Sequence, residues 1–160
     1  MMKTTTKKLL SILFLATLLS SCNVNMFNRI NGNRNVITET RKANEDFTKI
    51  KVSTGLDLYI TQGATTEIIV EADENLQDII ITEINNGVLK IYSEKNIWRA
   101  KSRKVYVTLA TLEGLSATRG SDIYSQKTLQ VNDLVVSATS GANIKIDLDA
   151  SDEIQVVDKK

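Results

Sequence analysis

The chain contains no proline and no histidine, and a single cysteine, among its 160 residues. Proline makes up about 5% of an average sequence, and it removes a backbone donor from any ladder it enters. A chain given over to continuous strand pairing is a natural place to lack it. Without histidine, Ser–His and Cys–His nucleophiles and histidine metal ligands are excluded. One cysteine excludes an internal disulfide and any metal site built from several thiolates. A strong charge of either sign is missing too. Removing Lys3, Lys7 and Lys8 of the leader from the 20 basic residues leaves 17 against 19 acidic ones. That balance gives no general attraction to nucleic acid, whose binders are strongly basic, so no nucleic-acid partner is expected. With 42% hydrophobic and 24% charged residues, the bulk is expected to fold as one domain.

What is present begins with an export signal. Lys3, Lys7 and Lys8 precede the apolar run Leu9–Leu19, which is too short to span a bilayer as a helix, since that takes about 20 apolar residues. The run ends in Leu19-Ser20-Ser21-Cys22, which resembles the bacterial lipobox: an aliphatic residue, two small residues and the modified cysteine. The resemblance implies a signal peptide over residues 1–21, cleavage before Cys22, and lipid on the Cys22 thiol and its new amino group. More than one acyl chain makes such anchoring stable, so the expected partner at this end is a membrane, held through the N-terminal lipid. Asn23 follows the cysteine in place of aspartate, which fits sorting to the outer membrane and leaves the periplasmic or surface face open.

Residues 22–35 carry Asn23, Asn25, Asn28, Asn31, Asn33 and Asn35 with Gly32 and little apolar periodicity, and read as an Asn-rich tether. From Val36 onward, apolar and polar residues alternate in short runs. Lys49-Ile50-Lys51-Val52, Leu56 to Thr61, Val105 to Leu109 and Asn143 to Leu148 all have the period of two that marks strands. Asn85-Asn86-Gly87 between two apolar runs is a hairpin signal. Only Glu71–Gln77 reads as helical, for a single turn. The expected class is all-β over residues 36–160.

An internal repeat sharpens this. Leu115-Ser116-Ala117-Thr118-Arg119-Gly120-Ser121-Asp122-Ile123 recurs as Val136-Ser137-Ala138-Thr139-Ser140-Gly141-Ala142-Asn143-Ile144, at an offset of 21 residues. A shorter echo, Val52-Ser53-Thr54-Gly55-Leu56-Asp57-Leu58, lies upstream. Periods of this length signal stacked units. A β-solenoid with coils of about 21 residues fits, each strand pairing with its counterpart one coil away and Gly turning the corner; two similar hairpins in a sandwich is the alternative. The next coil would begin at Val157, close to Lys160. The spacing therefore predicts a solenoid truncated at its C-terminus, or one whose open edge something else covers.

Gly32-Asn33-Arg34-Asn35-Val36, Phe47-Thr48-Lys49-Ile50-Lys51-Val52, Leu56 to Gly63, Val70 to Leu76, Gly87 to Ile91 and the two Ser-Ala-Thr-x-Gly segments together resemble the auto-transporter adhesin, head GIN domain family of bacterial envelope proteins. The resemblance implies a lipid-anchored, right-handed β-solenoid that serves as a binding or structural module. It brings no catalytic residues and no cofactor.

Three constellations are weighed for chemistry. Lys95, Arg99, Lys101, Arg103 and Lys104 surround Ile97 and the sole tryptophan, Trp98. An aromatic face among cations suits an anionic envelope glycan or a protein partner, so Trp98, Arg99, Lys101, Arg103 and Lys104 are the candidate ligand contacts. The competing reading is a solvated basic loop with Trp98 covering the end of the core. Asp147, Asp149, Ser151 and Asp158 are spaced faintly like a calcium loop, but the turn glycine is Asp152 and the last ligand is not Glu; no metal is expected, with calcium at Asp147 and Asp149 the weak alternative. The repeated Ser and Thr suit hydroxyl ladders between coils. Scattered carboxylates show no paired pattern for polysaccharide cleavage. The expectation is a non-enzymatic, lipid-anchored adhesion or ligand-binding protein. The alternative is a structural protein that self-associates through an open β edge.

Overall fold

In a computed structural model, residues 29–159 are described. The leader, Cys22 and the start of the Asn-rich segment lie outside the described residues. The chain forms short strands in succession: β1 (Arg29–Asn31), β2 (Val36–Arg41), β3 (Lys49–Val52), β4 (Asp57–Gln62) and β5 (Glu67–Asp73). A 3-10 turn over Glu74–Ile79 follows. Next come β6 (Ile80–Asn85), β7 (Val88–Ser93), β8 (Asn96–Arg99), β9 (Arg103–Leu109), β10 (Gly114–Ala117) and β11 (Asp122–Ser125). The series ends with β12 (Leu129–Val131), β13 (Leu134–Thr139), β14 (Asn143–Lys145), β15 (Leu148–Ala150) and β16 (Ile154–Lys159). The class is all-β, as the alternation predicts. Helical structure over Glu71–Gln77 is corrected: Glu71 to Asp73 stay in β5, where Glu71 pairs with Lys104, and the turn begins only at Glu74.

The alternation places the core. β3 buries Ile50 and Val52 and exposes its lysines, β4 buries Leu58 and Ile60, and β9 buries Val105, Val107 and Leu109. These inward residues join one apolar cluster with Leu89, Ile91, Leu115 and Ile123. Each such side chain contributes about 1.5–3 kcal/mol by leaving water.

Two six-stranded sheets have the orders β16-β13-β10-β3-β7-β6 and β14-β11-β4-β9-β5-β2, and two strand pairs, β1-β8 and β12-β15, complete the molecule. The repeat is expressed directly as register. Leu115 lies beside Val136 and Ala117 beside Ala138, and Ile123 lies beside Ile144, all in parallel pairs. Thr139 Oγ1 donates to Thr118 Oγ1 at 3.1 Å. The upstream echo pairs as well, Val52 with Ala117 and Leu58 with Ile123. Its sequence separation, however, is far from 21. Residues 63–113 intervene and place β7 and β9 on the other side of β3 and β4. There β2, β5 and β6 close the stack through antiparallel pairs. The 21-residue offset therefore holds only between β10 and β13 and between β11 and β14, while β12 and β15 pair residues 19 apart and β13 and β16 residues 20 apart.

The three corners from β3 to β4, β10 to β11 and β13 to β14 are each turned by two residues with positive φ: Thr54-Gly55, Arg119-Gly120 and Ser140-Gly141. A left-handed pair reverses the chain within two residues, and glycine at the second position adopts that conformation without the penalty a Cβ brings. No atom lies within 4 Å of where a Cβ would stand at Gly120 or Gly141, so the requirement is conformational and not steric crowding. Gly120→Ala is expected to lower stability by about 1–2 kcal/mol, measured by urea unfolding, without altering the far-UV spectrum.

Candidate functional site

The candidate groove is built where β1 pairs with β8. Ile30 lies beside Ile97, but Asn31 lies beside Arg99, so Trp98 is the extra residue of a bulge. A bulge re-aims the side chain at its apex. Ile97 is buried, whereas Trp98 is 54% exposed. Ile97 thus covers the core at this edge, and Trp98 faces outward with the Arg29 guanidinium 4.3 Å from its ring centre, a cation–π contact.

A groove of about 480 Å³ runs beside this ring, lined by Asn31, Gly32, Arg34, Trp98, Arg99, Ala100, Lys101 and Arg103. Four of the five expected contact residues are therefore together. Lys104 is not. Consecutive strand residues point to opposite faces, and Lys104 turns to the outer sheet face, with Nζ 3.8 Å from Glu71 Oε1 and 5.8 Å from the Tyr59 ring centre. Lys95 lines a different cavity, with Glu94 and Arg119. Sequence reasoning missed Arg29 and Arg34, because both were assigned to the tether.

That assignment is corrected for residues 29–35, which are bound to the domain. Gly32 N donates to Arg99 O at 2.7 Å. Asn75 Oδ1 accepts from Asn33 N at 2.8 Å, and Asn75 Nδ2 donates to Asn31 O at 2.9 Å. Asn35 Nδ2 donates to Glu74 Oε2 at 3.0 Å. The asparagines serve as caps for irregular backbone, a use for which side-chain amides are suited, and composition alone does not separate this from a linker.

Beneath the groove, the buried Asp73 carboxylate accepts backbone N–H bonds from Arg34 at 2.8 Å and from Lys101 and Ser102 at 2.9 Å. One side chain thus ties both walls together, and Gly32 sits so close to it that a Cβ would collide with the carboxylate. Among the described residues the ion pairs are Arg41–Glu39, Lys90–Glu83 and Lys104–Glu71, so Arg29, Arg34, Arg99, Lys101 and Arg103 take part in none. Chemically, the groove can hold an anion: guanidinium forks suit phosphate or carboxylate oxygens, and the ring offers an apolar face.

The outer sheet face has a different character. Tyr59 stacks between Tyr106 and Tyr124, with ring centres 5.2 Å apart on each side. Asp57 and Asp122 are register partners beside this ladder, and Asn143 Nδ2 donates to Asp122 Oδ1 at 2.8 Å. Burial pushes the Asp57 carboxyl above its ordinary value and Asp122 adds to this, while Arg103 and Lys104 pull the other way. Stacking turns the ring faces toward one another, and the Tyr106 and Tyr124 hydroxyls donate to Glu71 Oε2 and Asp122 Oδ2, each at 3.4 Å. As for the calcium alternative, Asp149 accepts from Gln130 Nε2 at 3.0 Å and Ser151 Oγ donates to Asn132 Oδ1 at 2.9 Å. Among the described residues no group of three or more His, Cys, Asp or Glu is placed to hold a metal.

Asp73 generates a prediction. Burial pushes its carboxyl up, but the backbone N–H groups of Ser102, Arg34 and Lys101 and the Lys101 charge outweigh that and hold it below its ordinary 3.8. A folded-state pKa below the unfolded one contributes stability that is complete above the unfolded value and lost as pH falls through the folded one. Asp73→Asn presents N–H to N–H and is expected to cost about 3 kcal/mol at neutral pH. Urea unfolding as a function of pH is expected to show a shallower acid limb in the variant than in the wild type.

The comparisons with known proteins agree with this architecture. The family described as "Putative auto-transporter adhesin, head GIN domain" matches residues 46–158. No curated protein matches the chain. A "putative adhesin" structure from Bacteroides fragilis superposes with a TM-score of 0.71 at 22% identity, covering 80% of this chain and 61% of that one. One from Parabacteroides merdae gives 0.65 at 21%, covering 81% and 59%. A "putative lipid binding protein" from Parabacteroides distasonis gives 0.61 at 21%, covering 81% and 69%. At these identities the likeness is one of fold, and the chain spans about three fifths of the length of the first two. The family and the first two of these structures are described as adhesins and the third as a lipid binding protein, none as an enzyme. With most of its length inside the matched region, the chain belongs to the auto-transporter adhesin, head GIN domain family.

Proposed function

We propose that this protein is a non-catalytic adhesion or ligand-binding module of the cell envelope, anchored in the outer membrane by lipid on Cys22. Family membership over residues 46–158 is the observation that carries this reading. The lipobox-like Leu19-Ser20-Ser21-Cys22 supplies the anchor. We further read the parallel rows as coils of a right-handed β-solenoid, a reading supported by the in-register pairing of residues 21 apart. Such a stack presents flat strand faces and corner loops, on which binding residues can vary without disturbing the ladder. Cys22→Ala is expected to abolish acylation, seen as the lost mass of the acyl groups, and to move the protein out of the membrane fraction. An acylated wild type that fails to adhere to envelope glycans or host proteins, in a screen where related adhesins succeed, would remove the adhesion half of the reading.

The second reading, self-association through the open edge, is favoured by a specific observation. β14, β15 and β16 each have one side unpaired among the described strands. There Val156 is 73% exposed, and a cavity of about 630 Å³ is lined by Ile144, Ile146, Leu148, Ile154 and Val156 among others. An unpaired apolar edge is a template for another strand. On this reading Val156→Lys abolishes concentration-dependent association in sedimentation. A wild type that stays monomeric at high concentration counts against it.

A further inference from the structure

We infer that the Trp98 groove is the face that this domain lays on an acidic phospholipid surface, with the indole in the headgroup layer and Arg29, Arg34, Arg99 and Lys101 against lipid phosphates. The inference rests on the reading of Cys22 as the anchor, and it names which side of the domain meets the membrane.

Position is the first support. β1 begins at Arg29, seven residues after Cys22, and an extended chain spans at most about 3.5 Å per residue, or roughly 25 Å here. β1 pairs with β8, so the strand on which the chain arrives from its anchor is the immediate neighbour of the strand that carries Trp98. An anchored molecule holds this edge within that reach of the bilayer.

Charge is the second. The groove's cations belong to none of the ion pairs among the described residues, although the mature chain carries slightly more acid than base. At the groove itself the Asp73 charge is taken up by three backbone N–H groups and Glu74 by the Asn33 and Asn35 amides, and other acids stand away from it. Asp57 and Asp122 stand on the outer sheet face, and Asp147, Asp149, Asp152 and Glu153 lie exposed near the far end of the stack. An acidic bilayer attracts one side and repels the others, which orients the domain. Each cation near such a surface strengthens partition about fivefold, and the effect falls with salt.

Trp98 is the third. A bulge carries it out of the ladder, it is half exposed, and its ring carries an N–H. An apolar body with one polar tip suits the headgroup region, where tryptophan concentrates.

Trp98 is the chain's only tryptophan, so its emission reports from the groove alone. The mature protein would be reconstituted into vesicles of phosphatidylcholine, or of phosphatidylcholine with phosphatidylglycerol, with brominated acyl chains as quencher. Mass spectrometry reports acylation separately, so loss of the anchor reading and loss of this one are distinguishable. The expected result is a blue shift and quenching only in the acidic vesicles, reversed by salt. Arg99→Glu with Lys101→Glu should remove both changes while the protein stays anchored. These substitutions spare the groove's backbone bonds, which use Lys101 N and Arg99 O. Added from solution without acyl chains, the double variant should partition to acidic vesicles about 25-fold or more weakly than the unsubstituted chain. Identical Trp98 emission in both vesicle types overturns the inference. So does an acidic glycan that shifts Trp98 when acidic vesicles do not.

Discussion

Every described strand except β6, whose one partner is β7 across the Asn86-Gly87 turn, depends on backbone pairing with a strand distant in sequence, and most of the pairs are parallel. A parallel strand cannot be paired by a tight hairpin to its neighbour in sequence, so the chain must travel around the core before it meets its own equivalent. This explains why corners matter as much as strands. Thr54-Gly55, Arg119-Gly120 and Ser140-Gly141 turn at equivalent places, and the turns keep Leu58, Ile123 and Ile144 in one inward row. Had one corner been a residue longer, the next strand would present its polar side to the core. The buried Ser121 hydroxyl accepts from Gly55 N at 3.0 Å and Leu56 N at 3.2 Å, which locks one corner onto the next.

A ladder of this kind has two ends, and the protein treats them differently. At one end β2, β5 and β6 reverse direction and close the sheets with antiparallel pairs. Arg41 reinforces that closure, its guanidinium donating to Gln77 O at 2.9 Å and Gln77 Oε1 at 3.0 Å. The Asp73 carboxylate then fastens the N-terminal segment to the loop before β9. At the other end β14 and β15 are short and β16 carries exposed valines. Natural sheets rarely leave a long apolar edge uncovered, so this end is where a further strand, from whatever source, has the most to gain.

Much of this was legible in the residues themselves. The alternation at Lys49 to Val52 and Val105 to Leu109 names the buried side chains correctly, because a period of two admits only one inward set. The 21-residue offset predicts the pairing of Leu115 with Val136, since identical sequences satisfy identical environments. Two features were not legible. The excursion of residues 63–113 uses strands with the same local pattern as the rest, so nothing local indicates that β9 pairs antiparallel with β5 and parallel with β4. The Asn-rich stretch before Val36 has the composition of a linker, and only the facing partners, Asn75, Glu74 and Asp73, convert it into bound structure. The same gap hid part of the groove: Trp98, Arg99 and Lys101 stand out as a cluster, while Arg29 joins it by pairing opposite Asn96, 67 residues away, and Arg34 through its backbone bond to Asp73, 39 residues away. Lys104 was misplaced for the opposite reason, its neighbour in sequence being on the other side of the strand.

The two ends together suggest how such a module divides its labour. The edge where the chain arrives from its N-terminus is cationic and closed: its backbone donors are taken up by Asp73 and by the Asn75 amide oxygen, the Asn31 carbonyl accepts from the same amide, and side chains with charge or an aromatic ring remain free. Surfaces of that kind bind through electrostatics and orientation, and they do so without exchanging backbone partners. The outer sheet face, with Tyr59, Tyr106 and Tyr124 stacked and Asp57 beside Asp122, keeps its ring faces occupied with one another, so it contributes rigidity to the stack more than stacking surface for a ligand. The far edge is the reverse of the first, with apolar side chains among exposed acids and unpaired strand flanks, a surface suited to an added strand. Charge and backbone valence are thus segregated along one axis of the molecule. That segregation costs nothing in the core, because in a period-two strand the outward residues change freely while the inward ones hold the ladder.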